Sequence, residues 1–314
     1  MAIDFAELPT ASRLVVPADR GVGEAIYAHV SAGFWVEPEY DGVRCQAMLT
    51  ESGWVFAGKT PGSASRPEYA NIPDRSPAVV EELAAAGFPC GTLLDGKLTC
   101  GAGWQSLLRR LSCPAERLPD LPGDPPGLAV FDVLEFGRDR IDSWPLSERR
   151  RLLESVLPNG SGAFVPVSKS GDDGLGFGLE LLQGESVESV EGVSLKRIVS
   201  PYPSGSTKDW LVHRRTETHN AVVMAVSEGR GKFRGMAGSL VVGQHFPDGG
   251  LRRVASLDGM TVDQRHYAWR NRRQIVGTVV AFVSQGRTEA SYRRPRLFCF
   301  QPEADPGSCR WEGT

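Results

Sequence analysis

The sequence lacks the residue patterns that bind transition metals or form disulfide frameworks. Its six cysteines and five histidines are scattered, with no CxxC pair and no HExxH or HxH cluster. Metal ligands and paired cysteines normally occur at short, recognisable spacings. We therefore expect free thiols and no transition-metal site.

Long apolar runs are also absent. No segment approaches the ~18 consecutive apolar residues of a membrane-spanning helix. The N-terminus carries acidic residues early, instead of the basic and then apolar pattern of a secretion signal. These absences predict a cytoplasmic protein that does not bind membranes. The length of 314 residues suits two packed domains, and we expect a monomer.

Positive charge is concentrated in the last third of the chain. Residues 219–314 contain 14 Lys and Arg against 8 Asp and Glu, whereas residues 1–218 contain 21 and 30, so the net charges are +6 and −9. A basic region suits a polyanion such as nucleic acid, and interleaved aromatic residues can stack on bases. A solvated surface in an arginine-rich protein is the alternative. The basic residues are Arg252, Arg253, Arg265, Arg270, Arg272, Arg273, Arg287, Arg293, Arg294 and Arg296, with Tyr267, Trp269 and Tyr292 interleaved. The predicted nucleic-acid contacts among them are Arg252, Arg253, Arg270, Arg273, Arg293 and Arg294.

The pattern of elements changes near residue 218. Residues 1–218 mix strands with helices, two of which have a serine (Ser76 and Ser147) at the expected cap. The strand "GTLLDGKLTC" carries an Asp-Gly pair that predicts a tight interruption. Residues 219–314 contain five short strands and one inserted helix, the pattern of an OB-type barrel. We predict an α+β domain over 1–218 and an OB-fold domain over 219–314.

Five short segments in the chain carry a specific resemblance. In chain order they are "EPEYDGVR" (37–44), "LLDGKLT" (93–99), "VFDVLEF" (130–136), "VEGVSLKR" (190–197) and "WLVHRR" (210–215). Their order and spacing resemble the motifs of the ATP-dependent DNA ligase family, within the covalent nucleotidyltransferases. The likeness covers residues of about 30 to 305. It implies an adenylation domain with antiparallel sheets, followed by an OB-fold. It also implies ATP and Mg²⁺ as cofactors, nicked or ended duplex DNA as partner, and a role in DNA repair or recombination.

The resemblance also shows which family chemistry is lost. The family's first motif is Lys-x-Asp-Gly-x-Arg, and its lysine attacks the α-phosphorus of ATP. Glu39 stands at that position here, and a carboxylate forms no stable phosphoramide and repels a triphosphate. Shifting the alignment does not supply a lysine, because none lies between residues 20 and 58.

Other cationic positions of the family motifs are altered as well. Val212 replaces the first lysine of the Trp-Leu-Lys-x-Lys strand, while Arg214 keeps a positive charge at the second. The segment "FQPEADP" at 300–306 stands where the family has Arg-x-Asp-Lys, and Lys59 is the one basic residue near the second strand. These losses affect the same step, and they favour a pseudoenzyme.

One substitution adds a positive charge instead of removing one, and it is Lys97. It replaces the glutamate of the family's Asp-Gly-Glu motif, which lies close to the first motif. The exchange predicts a swapped ion pair between Glu39 and Lys97. The alternative is that Lys97 is a relocated nucleophile.

The recognition half of the family pocket is retained. By resemblance, Glu37 reads the adenine amine, Phe131 stacks on the base and Glu191 is the carboxylate on the metal side. The remaining retained residues are Asp41, Gly42, Arg44 and Lys196. Structural alternatives are that Phe131 is core, that Asp41-Gly42 is a hairpin turn, and that Arg44 pairs with Glu191.

Two functions remain open at this point. One is a ligase-fold protein that binds an adenine nucleotide, DNA or both without charging itself with AMP. The other is an enzyme with rewired chemistry, which uses Lys97, joins pre-adenylylated ends or acts on a small metabolite. Fold alone does not decide between them.

Overall fold

The computed structural model describes residues 10–14, 21–58, 72–101, 103–121, 123, 125–158, 160, 162–184, 189–203, 205–288 and 290–312. The chain divides into two compact units, Met1–Arg214 and Arg215–Thr314. The sequence predicts the boundary close by, between residues 218 and 219. Lys59 lies outside the described residues.

The first unit mixes strands and helices. Its strands are β1 (Thr10–Arg13), β2 (Phe34–Tyr40), β3 (Gly42–Thr50), β4 (Gly53–Gly58), β5 (Leu93–Thr99), β6 (Gly127–Phe136), β7 (Asp139–Arg140), β8 (Ala163–Phe164), β9 (Val190–Arg197) and β10 (Ser206–Arg214). Its helices are α1 (Val22–Ser31), α2 (Ile72–Arg75), α3 (Pro77–Ala85), α4 (Gly103–Ser112), α5 (Leu146–Val156) and α6 (Gly171–Gln183).

These strands form two sheets. The first sheet has the order β1-β10-β9-β2, in which only the β1–β10 pair is parallel. The second sheet has the order β4-β3-β5-β6-β7, with β8 parallel to β6. Side chains alternate between the faces of a strand, so each sheet can cover a core on one face and line a site on the other.

Each sheet has its own hydrophobic core. Helices α1 and α6 cover the first sheet, and α3, α4 and α5 cover the second. Buried residues of the first core include Ile26, Val36, Leu181 and Leu195. Those of the second include Phe56, Leu83, Leu107, Val133 and Leu153.

The two predicted serine caps have different outcomes. Ser76 is the N-cap residue of α3, as predicted, but its hydroxyl donates to the carbonyl of Pro126 and makes no cap hydrogen bond. The prediction for Ser147 is wrong, because this residue lies inside α5, whose N-cap is Pro145. Two N–H groups at the start of α5 donate instead to Ser200 O and Ile198 O, at 2.9 and 3.0 Å. Tertiary partners thus satisfy the donors that a local cap would have taken.

The two Asp-Gly pairs do not make hairpin turns. Asp95 and Gly96 lie within an uninterrupted β5, where the predicted break is only a register shift against β6. Asp41 joins β2, which pairs with β9, to β3, which pairs with β4 and β5. The pair Asp41-Gly42 therefore carries the chain from one sheet to the other. A Cβ at Gly42 would lie 2.2 Å from Leu98 O, so the close approach of β5 requires glycine there.

The second unit has OB-fold topology, as predicted. Its elements are β11 (Glu217–Glu228), β12 (Ala237–His245), β13 (Leu251–Leu257), α7 (Val262–Arg270), β14 (Val279–Ser284) and β15 (Arg296–Gln301). The strand order is β13-β12-β11-β14-β15, and α7 is inserted between β13 and β14. Tyr292 N donates to Val254 O at 3.2 Å, which links the segment before β15 to β13. Helix α7 begins with a capping box of Thr261 and Gln264.

Among the described residues, no helix combines the length and hydrophobicity that a bilayer span requires.

Gly192 of β9 provides a test of the first sheet. Its Cβ position lies 2.1 Å from His213 O of the neighbouring β10. We expect Gly192→Ala to lower the free energy of unfolding by about 1–3 kcal/mol, because the methyl group forces two strands apart. Chemical denaturation measures the change.

Gly176→Ala is the matched control. Gly176 is exposed on α6, and no atom lies within 4 Å of its Cβ position. Alanine is the better helix former, so we expect this variant to gain up to about 1 kcal/mol. Equal effects of the two substitutions would contradict the close approach at Gly192.

Candidate functional site

A pocket lies between the two sheets of the first unit. Its volume is about 280 Å³, near the lower end of ligand-binding pockets, which span ~300–1,000 Å³. The first sheet lines it with Glu37, Glu39, Ser194, Lys196, Trp210, Val212 and Arg214, and the second with Arg44, Lys97 and Phe131. Most of the motif residues singled out in the sequence therefore meet in one place.

Strand register brings Glu39 and Arg214 together. Both residues are register partners of Gly192, Glu39 from β2 and Arg214 from β10. Gly192 has no side chain, so Arg214 can reach across β9 to Glu39. The distance from Arg214 Nη2 to Glu39 Oε1 is 2.5 Å, and Arg214 Nε also donates to Glu191 Oε1.

Lys97 completes the contacts of Glu39 from the second sheet. Its Nζ donates to Glu39 Oε1 at 2.9 Å and to the carbonyl of Tyr40 at 2.6 Å. The carboxylate side chain is 8% exposed and the lysine side chain 16%. Glu39 thus accepts hydrogen bonds from one cation of each sheet, Arg214 of the first and Lys97 of the second.

The pKa of Glu39 reflects this arrangement. Burial by itself would raise the pKa of the carboxyl group, but the positive charges of Lys97 and Arg214 outweigh it. The pKa of Glu39 is therefore held below its ordinary value of 4.5. The residue is a carboxylate at neutral pH.

A second buried ion cluster forms around Glu37. Arg150 Nη2 donates to Glu37 Oε1, and Lys196 Nζ lies 2.7 Å from Glu37 Oε2. Burial lowers the pKa of Lys196, although the negative charge of Glu37 acts to raise it. The role of Glu37 in reading an adenine amine stays a prediction, since its carboxylate is held by these two cations.

Sequence reasoning missed the part played by Arg150. The residue is 1% exposed on α5 and pairs with Glu37, although it is not itself a lining residue of the pocket. A signal was available, because the buried residues of α5 are spaced like one face of a helix. They are Leu146, Arg149, Arg150 and Leu153. Two arginines on the apolar face of a helix indicate buried acidic partners, which here are Asp132 for Arg149 and Glu37 for Arg150.

An aromatic wall closes one side of the pocket. The rings of Phe131 and Trp210 pack edge to face, with centroids 5.5 Å apart, and Val212 joins them. Trp210 Nε1 donates to Ser194 Oγ at 2.6 Å. Phe131 is 7% exposed, so it is part of the core and also of the pocket lining.

Arg44 lies beside this wall and is bound to Asp95. Its Nε donates to Asp95 Oδ1 at 2.6 Å, and its guanidinium carbon lies 4.7 Å from the centroid of Phe131. Tyr202 also donates to Asp95, at 2.7 Å. In place of the alternative Arg44–Glu191 pair, the structure pairs Arg44 with Asp95 and Arg214 with Glu191.

Cationic side chains occupy the acidic residues of the family motifs. Glu37, Glu39 and Glu191 are each bound by lysine or arginine. Within the described ranges, no group of three or more His, Cys, Asp or Glu residues could hold a metal ion. Proteins often hold Mg²⁺ by one or two carboxylates together with substrate phosphates, so the assignment of Glu191 to a metal stays a prediction.

The arginines singled out in the second unit differ in how far they are exposed to solvent. Arg252, Arg253, Arg270, Arg273 and Arg294 are exposed, and Arg293 is half-buried. Arg265 is buried and donates to the carbonyls of Ala237 and Gly238, both at 2.8 Å, so it does not belong to the predicted basic surface. Tyr292 is 6% exposed and lies in the core, whereas Tyr267 is exposed. Trp269 is partly buried against the core.

The fold and the pocket together define a class of protein. A mainly antiparallel two-sheet unit with a pocket between the sheets, followed by an OB-fold, is the architecture of nucleotidyltransferases of the ligase type. The family described as "ATP dependent DNA ligase domain" matches residues 14–212. The chain belongs to the ATP-dependent DNA ligase family.

Individual relatives support the same family. The chain is 27% identical over 276 residues to a "Probable DNA ligase" of Anaeromyxobacter sp., covering 84% of this chain and 49% of the relative. It is 26% identical over 264 residues to DNA ligase 1 of Schizosaccharomyces pombe, covering 77% and 33%. A ligase of Nocardioides sp. is 32% identical over 243 residues, covering 76% and 44%. The chain thus spans half or less of the length of these curated relatives.

Solved structures show the same fold. The structure named Pmar-Lig_PreS3 has a TM-score of 0.67 and 19% identity, covering 95% of this chain and 68% of that one. A structure of the Lig E DNA ligases has a TM-score of 0.58 and 20% identity, covering 96% and 100%.

The stability contributed by Glu39 depends on pH in a defined direction. Glu39→Gln leaves Lys97 and Arg214 without their shared carboxylate, and we expect a loss of about 1–3 kcal/mol in unfolding free energy at pH 7. The folded-state pKa of Glu39 is lowered, so its contribution is complete above the ordinary value of 4.5 and is lost as the pH falls through the folded-state value. Denaturation of both proteins between pH 7 and pH 3 should show the difference narrowing.

Glu51→Gln controls for the general effect of losing one acidic charge. Glu51 pairs with Arg138 through side chains that are 87% and 70% exposed, so we expect a change below about 1 kcal/mol at neutral pH. A wild-type advantage over Glu39→Gln that stays constant across the pH range would contradict the ion cluster.

Proposed function

We propose that the chain is a DNA-ligase-family protein that binds an adenine nucleotide, DNA or both, and that does not adenylylate itself. The observation that carries this proposal is the pairing of Glu39 with Lys97 and Arg214. By resemblance, that position belongs to the lysine that attacks ATP in the family.

A nucleophile for ATP must present an uncommitted amine to the α-phosphorus. Glu39 has no amine, and its negative charge opposes an incoming triphosphate. Lys97 has an amine, but Nζ donates to Glu39 Oε1 and Tyr40 O, at 2.9 and 2.6 Å. These contacts favour a structural role for Lys97 over attack on a phosphate.

The recognition half of the pocket supports retained binding. Phe131 and Trp210 offer aromatic surface next to the polar atoms of Ser194 and Arg44. Pockets that combine apolar walls with a few polar groups are the usual sites of small ligands. ATP or AMP is the ligand class that the family implies, and a cytoplasmic location stays a prediction.

The second candidate function is an enzyme with rewired chemistry. It is favoured by the position of Lys97, which lines the same pocket as Phe131 and Trp210. Such an enzyme would use Lys97 as nucleophile, seal pre-adenylylated ends without the first step, or act on a small metabolite.

Labelling with ATP separates the two candidates. We expect no covalent AMP on the wild-type protein after incubation with α-labelled ATP and Mg²⁺, since Glu39 cannot form a phosphoramide. A denaturing gel and intact-protein mass spectrometry measure the adduct. Lys97→Ala should give the same blank result.

An acid-labile AMP adduct on the wild type that is lost in Lys97→Ala would contradict the proposal and make Lys97 the nucleophile.

Sealing of a pre-adenylylated nick is measured in parallel. Joining of that substrate without any protein–AMP adduct would favour the rewired enzyme.

DNA binding through the second unit is tested at its exposed arginines. We expect Arg270→Glu combined with Arg273→Glu to weaken binding to nicked duplex DNA at least ~10-fold. We also expect the salt dependence of the binding constant to fall by about two ion equivalents, because two phosphate contacts are lost. Fluorescence anisotropy at several salt concentrations measures both.

Arg109→Glu is the control, since Arg109 is exposed at the end of α4 in the first unit. It makes the same Arg→Glu substitution, once instead of twice, on another unit of the chain. If Arg109→Glu weakens binding as much as the double variant, the second unit is not the specific contact surface.

A further inference from the structure

The carboxylate of Glu39 occupies a place built for an anion. Lys97 Nζ lies 2.9 Å from Glu39 Oε1 and Arg214 Nη2 lies 2.5 Å from it. Two cations converging on one oxygen, with the whole residue 6% exposed, is the arrangement that proteins use to hold a phosphate or carboxylate ligand. Here the anion is part of the chain.

The other cations of the pocket are also paired with carboxylates. Arg44 is bound by Asp95, and Lys196 by Glu37. A phosphate group entering the pocket would have to displace one of these internal carboxylates, which are tethered and pay no cost of association. The cationic side chains are thus occupied, while the aromatic surface of Phe131 and Trp210 lines the open space.

We propose that Glu39 acts as a built-in anion that fills the phosphate position, so that the pocket selects an uncharged nucleoside-type ligand over its phosphorylated forms. The nucleoside part of this inference rests on the proposed function, because it uses the same recognition half of the pocket. The exclusion of phosphate rests on the Glu39 contacts alone.

The negative charge of Glu39 indicates that the pocket should prefer uncharged ligands over anionic ones. An anion placed near Lys97 and Arg214 also lies near Glu39, and the like charges repel strongly because Glu39 is only 6% exposed. Removing the charge at Glu39 leaves two cations without their shared partner. The same pocket then becomes a receptor for phosphate.

Calorimetric titration of adenosine, AMP and inorganic pyrophosphate tests the inference. For the wild type, we expect adenosine to bind at least ~10-fold more tightly than AMP, and pyrophosphate not to bind. For Glu39→Gln, we expect AMP to bind at least ~10-fold more tightly than to the wild type and pyrophosphate to bind measurably, while the affinity for adenosine changes less than ~3-fold. Glu51→Gln makes the same change in net charge far from the pocket and should behave like the wild type.

Equal affinity of the wild type for adenosine and AMP would overturn the inference and would leave the proposed nucleotide binding intact. This comparison needs no variant, so it holds even if Glu39→Gln does not fold. Binding of pyrophosphate by Glu39→Gln but not by the wild type, with no binding of adenosine to either, would support the built-in anion and overturn the nucleoside recognition. A folded Glu39→Gln that binds neither AMP nor pyrophosphate would refute the role of Glu39.

Discussion

The contact on which the pocket depends is the pairing of Glu39 with Lys97 and Arg214. It joins β2 and β10 of the first sheet to β5 of the second, so one carboxylate fastens the two walls of the pocket. Buried charge is costly unless it is paired and hydrogen-bonded. That requirement explains why the neighbouring charges are arranged in the same way, with Glu37 between Arg150 and Lys196.

The scaffold around this contact retains features of its family although the reactive position has changed. Gly42 and Gly192 still allow the close strand approaches that bring the motif residues into register. Backbone geometry of this kind is independent of which side chain occupies position 39. The fold can therefore be kept whichever side chain occupies position 39, because a fold does not determine the reaction carried out on it.

Local patterns predicted the elements of the chain more reliably than the partners of its side chains. The five strands and one helix of the OB-fold follow from short apolar runs separated by glycine turns, and the Glu39–Lys97 exchange indicated two residues close in space. The contacts of Ser76, Ser147 and Arg44 could not be predicted in this way. Each side chain or N–H group there has a tertiary partner distant in sequence, which is Pro126 for Ser76, Ile198 for Ser147 and Asp95 for Arg44.

The sequence by itself determined the order of strands and helices, the family motifs and the absence of a lysine at position 39, since these depend on residue type, periodicity and spacing. Only the tertiary structure decided that Asp41-Gly42 links two sheets, that Arg150 pairs with Glu37 and that Arg265 is buried. It also decided which cations hold Glu39. The physical reason is that a charge in a low-dielectric interior takes the partner that lies nearest in space, and strand register, not sequence distance, sets that neighbour.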